Sequence, residues 1–89
     1  MDLRQRLDIL VDAAQSAGLQ IRREPLGGDG GGYCKLKGVR VLFLDTMADI
    51  ETQYERTVAA LAPIEEIAGR FLPPVVREDL DQSRDGGAA

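Results

Sequence analysis

The chain has 89 residues, 11 Lys and Arg against 15 Asp and Glu, a net charge of -4 and no histidine. A chain this short forms one small domain that buries roughly 60% of its unfolded surface, and its acidic balance disfavours a phosphate backbone as partner. The missing histidine removes the commonest general base near neutral pH and the commonest zinc ligand, so a serine or cysteine triad in its usual form is excluded.

The first element is a helix over Asp2 to Ala17. Leu3, Leu7, Leu10, Val11 and Ala14 recur at three- and four-residue steps along one stripe, and Gly18 stops it. Ile9 lies about half a turn from that stripe, so it is either a lone exposed residue or a contact to a partner. Leu19 to Glu24 alternates briefly, as a strand does, until Pro25 ends it.

Next comes a glycine run, Gly27, Gly28, Asp29, Gly30, Gly31 and Gly32, expected to be a mobile or tightly turned loop. Tyr33 to Lys37 and Val39 to Leu44 read as a hairpin with Lys37 and Gly38 as its two-residue turn. That turn pairs Leu36 with Val39 and Cys34 with Val41, and places both pairs with Phe43 on one apolar face, where helices are expected to cover Cys34, Val41 and Phe43. The other face carries Tyr33, Lys35, Arg40, Leu42 and Leu44. It is charged near the turn and apolar beyond it, so Leu42 and Leu44 need a cover that so short a chain is not expected to supply.

Asp45 or Thr46 is the expected N-cap of a long second helix, with Asp49 in its first turn and Met47, Ile50, Tyr54, Val58 and Leu61 along one stripe. Pro63 to Ala68 forms a short helical turn closed by Gly69. Pro73 and Pro74 then lead into a last short helix with Val75, Val76 and Leu80. The expectation is a single compact domain over residues 1–81 and a flexible tail over 82–89.

Three groups of residues could carry chemistry. The glycine run could converge its N–H groups on an anion, with Gly28, Asp29, Gly30, Gly31, Gly32 and Arg40 as the ligand loop, or serve only as a connector. It is not a phosphate loop of the Walker or dinucleotide type, because a strand follows it where those need a helix. Cys34, the single cysteine, precludes an intrachain disulfide, suits a reducing cytoplasm, and reads as a small core hydrophobe more readily than as a nucleophile. The carboxylate pairs Asp45/Asp49 and Glu51/Glu55 could hold a divalent cation, but acids in a first helical turn are also stabilised by the helix dipole.

The segment GGYCKLKG, Gly31 to Gly38, resembles a set of small bacterial proteins with a Gly-Gly-x-Cys-x-Leu-basic-Gly core and no assigned activity. The likeness runs from about Gly30 to Leu80 and implies no catalytic residue. The order helix, hairpin, helix also resembles the front part of ImmA/IrrE-type metallopeptidases. At the position of their His-Glu-x-x-His helix, Thr57 to Pro63 here reads Thr-Val-Ala-Ala-Leu-Ala-Pro, without a zinc ligand.

These readings combine into an α+β fold: an N-terminal helix, a small antiparallel sheet centred on the 33–44 hairpin, a long second helix and a short C-terminal helical segment. The expected function is non-enzymatic: an interaction or accessory protein, either a homodimer or bound to a protein partner, with Leu42, Leu44 and Ile9 as interface candidates. A small-ligand or anion-binding module is the alternative. No cofactor, metal, nucleic acid or membrane partner is expected, since the four aromatics are scattered, the sequence start lacks the pattern of a signal peptide and no apolar run approaches about 20 residues.

Overall fold

The computed structural model describes residues 1–87. The chain is α+β: α1 (Leu3–Ser16), β1 (Gln20–Glu24), β2 (Gly31–Leu36), β3 (Val39–Asp45), α2 (Ile50–Leu61), α3 (Glu65–Ala68) and α4 (Pro74–Gly87). No helix among the described residues is long and apolar enough to cross a membrane.

α1 starts on a capping box, in which the Gln5 N–H donates to the Asp2 carboxylate at 2.8 Å and the Asp2 N–H donates to Gln5 Oε1 at 3.0 Å. It stops at a Schellman motif, with the Leu19 N–H on Ala14 O at 2.9 Å and the Gly18 N–H on Gln15 O at 3.0 Å. The expected stripe faces inward, Leu7, Leu10, Val11 and Ala14 being buried, while Ile9 is half-buried at its margin.

The sheet has the order β1-β3-β2. The hairpin register is the expected one, Leu36 opposite Val39 and Cys34 opposite Val41. Its turn has positive φ at both Lys37 (50°) and Gly38 (82°), the primed geometry whose twist matches the flanking strands. The sheet is mixed, however, and not wholly antiparallel. β1 lies on the far side of β3 and runs parallel to it, with Gln20 beside Val41 and Glu24 beside Asp45.

The helices cover the opposite face from the one expected. Leu42 and Leu44 are 0% and 2% exposed within a core that also holds Leu10 and Val11 of α1, Tyr54, Val58 and Leu61 of α2, Ile67, and Val76 and Leu80 of α4. Their interface role is thereby corrected: the cover they need comes from within the chain. The cover comes from α1 and α2, which pack on the sheet, while α4, running 14 residues through Gly87, packs on α2. The segment expected as a tail from residue 82 is therefore helical to Gly87, with Arg84 Nε donating to Ala62 O at 3.0 Å. The remainder of that tail, 88–89, lies outside the described residues.

Truncating Leu42 to Ala opens a void in a layer that has no side chain to refill it. The expected cost is about 2 to 5 kcal/mol in a denaturant melt, and Leu44→Lys is expected to abolish the cooperative transition. A folded, merely monomeric Leu44→Lys variant would contradict this core.

Candidate functional site

The glycine-rich connection is ordered by a single carboxylate. Because β1 and β2 flank β3, the chain leaving Glu24 has to cross the end of β3 before it can start β2 at Gly31. A crossing segment has no ladder to take its N–H groups, and buried ones need another partner. Asp45, the last residue of β3, supplies it. Asp45 Oδ1 accepts from the N–H of Leu26 at 2.8 Å and of Met47 at 2.9 Å, and Oδ2 accepts from Gly28 at 2.6 Å and Gly30 at 3.1 Å. The carboxylate is fully buried.

Burial alone would raise the Asp45 pKa, but hydrogen bonds from the Gly30, Leu26, Met47 and Gly28 amides outweigh it and bring the value down to about 2. The carboxyl is therefore ionised and serves as an internal anion for the loop. Asp45 does not cap α2, as expected from sequence. Asp49 does, accepting from the Thr52 N–H at 2.8 Å, which also holds its own pKa below the usual range. Met47 accordingly falls outside the helix and is 66% exposed.

Two glycines are fixed by their surroundings. A Cβ on Gly31 would stand 2.0 Å from Phe43 O with φ at +98°, and one on Gly30 would stand 2.4 Å from Arg56 Cγ with φ at +100°. Gly32, already in β2, has open space around it.

The expected anion loop is thus corrected on two counts. The N–H groups of Gly28 and Gly30 that an external anion needs are already bonded to Asp45. Arg40, its expected charge partner, sits five residues back along β3, about 17 Å away. It donates there to Ala17 O at 2.7 Å and pairs with Glu66 at 2.8 Å. Asp29 stays exposed beside a shallow depression of about 350 Å³ lined with Leu26, Gly31, Gly32, Tyr33 and Phe43. The carboxylate pair Asp45/Asp49 is divided between the crossing loop and the α2 N-cap, and among the described residues no three acidic or cysteine side chains gather as a metal site.

A second cleft, about 510 Å³, opens between α1, α2 and α4. Three of its polar groups bond one another: the Tyr54 hydroxyl donates to Asp79 Oδ2 at 2.6 Å, and Arg6 Nη1 reaches the same oxygen at 3.4 Å. Burial and the Asp79 carboxylate push the Tyr54 pKa up, so the phenol stays protonated.

What remains is the sheet face turned away from the helices. β3 places Val39, Val41 and Phe43 there, β2 places Gly32, Cys34 and Leu36, and β1 places Gln20, Arg22 and Glu24. Val41 is nonetheless buried, at 2% exposed, Phe43 is half-buried, and Val39 and Leu36 are 47% and 43% exposed. Cys34 is half-buried on this face and is not covered by helices as expected. Arg22 stands over the Phe43 ring at 5.5 Å and pairs with Glu24 at 2.5 Å. Sequence reasoning grouped most of these residues correctly and assigned them to the core, which holds for Val41 and not for the half-buried Cys34 and Phe43.

No protein-family model matches the chain, and neither a curated protein nor a solved structure matches it.

The Asp45 carboxylate has a folded-state pKa below its unfolded value of 3.8. It therefore stabilises the fold fully above that value, and the contribution is lost as pH falls from about 4 toward about 2. Asp45→Asn is expected to lower the melting temperature at pH 7, to flatten that acid limb, and to speed amide exchange from Leu26 to Gly30. Gly31→Ala is expected to cost more than about 2 kcal/mol, while Gly32→Ala stays within about 1 kcal/mol of wild type. Equal melts for the two alanine variants would contradict the crossing geometry.

Proposed function

We propose that this protein is a non-enzymatic interaction domain that docks through the bare sheet face. The observation that carries the reading is the pairing of β1 with β3 in parallel while one side of that pair lacks a cover. Parallel strands are ordinarily buried on both faces. Here one face has its helices and the other presents Leu36 and Val39 exposed at its turn end, with half-buried Phe43 beyond the buried Val41. The two clusters of polar groups elsewhere favour the same reading. Asp45 is saturated by four amides and is not left to act on a substrate, and Asp79 Oδ2 is engaged by the Tyr54 hydroxyl and Arg6. A cytoplasmic setting agrees with a half-exposed, unpaired Cys34.

A photo-reactive amino acid at Val39 is expected to yield covalent adducts in cells, and the same group at Glu51, exposed on α2, is not. Adducts at both positions alike, or at neither, would contradict docking through this face.

A further inference from the structure

We infer that the occupant of the bare face is a second copy of this chain, packed face to face with its strands antiparallel to the first; this rests on the docking reading above. Charge selects that occupant. The chain carries a net charge of -4, so most of its surface repels a second copy. The bare face and its two ends are the exception. They hold two cations, Arg22 and Lys37, and two anions, Glu24 and Asp29.

These charges are also placed in a useful order. Arg22 and Glu24 neutralise each other locally. Lys37, in the hairpin turn, and Asp29, in the crossing loop, stand at opposite ends of β2, about 20 Å apart, and neither is ion-paired among the described residues. The other two cations of the hairpin, Lys35 and Arg40, belong to the opposite side of the sheet. A two-fold axis lying between the faces and perpendicular to the strands sets the Lys37 end of each copy over the Asp29 end of the other. The exposed Leu36 and Val39 of each copy then lie over the half-buried Phe43 of the other. With the axis along the strands, Lys37 would face Lys37 and Asp29 would face Asp29, so the charges select the antiparallel arrangement.

The size of the face sets the strength. Three strands about 4.8 Å apart and about 20 Å long present roughly 300 Å², well short of the roughly 800 Å² per partner of a standard stable interface. The dimer is accordingly weak and concentration-dependent, in the micromolar range or above.

Sedimentation of the purified full chain from about 10 µM to about 1 mM tests this. The average mass of wild type is expected to rise toward the dimer. Lys37→Glu and Asp29→Lys are each expected to weaken association about tenfold, because every contact between the ends then opposes like charges. An equimolar mixture of the two variants, and the double variant, are expected to return to wild-type affinity, since each Glu then meets a Lys. Circular dichroism confirms that all variants are folded. A wild type that stays monomeric throughout, or a mixture that associates no better than the single variants, overturns the inference. If the photo-reactive group at Val39 nevertheless captures another protein in cells, only the second copy is refuted and the docking reading stands. If Val39 captures nothing, the docking reading itself has failed.

Discussion

A buried aspartate at the end of the middle strand governs how this chain closes. The order β1-β3-β2 forces the backbone to cross the end of β3, and a crossing without a ladder leaves amides unsatisfied in a region from which water is excluded. Asp45 answers four of them with two oxygens. The glycines follow from the same constraint. The loop has to pass close over the strand end, and at Gly31 a side chain would collide with the Phe43 carbonyl. Two further backbone bonds, Thr46 N–H to Glu24 O at 2.9 Å and Asp45 N–H to Gly30 O at 3.4 Å, tie the same junction together. A loop that looks from its composition like a flexible tether is thereby part of the folded frame.

With the crossing fixed, the rest of the architecture is determined by which side of the sheet the helices take. α1 ends in its Schellman motif just before β1, and α2 starts a few residues after β3 on the Asp49 cap. Both return over the face that bears Leu42 and Leu44, and α4 packs against them through Val76 and Leu80. Arg40 pins the turn end of that arrangement by reaching the carbonyl of Ala17 and the carboxylate of Glu66. The other side of the sheet is left with apolar side chains of β2 and β3 facing outward, rimmed by charges of both signs.

Local signals in the sequence were strong where one rule acted alone. The stripe of α1, its Gly18 stop, the hairpin register and its Lys37-Gly38 turn are all set by nearest neighbours, and all appear as expected. The candidate site was less legible because its features depend on contacts distant along the chain. An alternating strand with apolar residues on both faces does not say which face the helices take; that is set by how α1 and α2 return over the sheet, which no local signal carries. The role of Asp45 was hidden by its position just before a helix, where an aspartate ordinarily caps. Its actual partners lie 15 to 19 residues upstream, apart from Met47. The signal that could have revealed it was the coincidence of a glycine-rich crossing with an acid at the end of the strand to be crossed.

The claim on which the account turns is that an ionised Asp45 holds the crossing together, since without it neither the strand order nor the bare face is secured. The direct measurement is a carbon-detected NMR titration of the Asp45 carboxyl, with the amide shifts of Leu26, Gly28, Gly30 and Met47 followed in the same samples. The account predicts a carboxyl pKa of about 2 and four amides that move with it. An Asp45 that titrates near the ordinary 3.8 while those amides stay still would contradict it.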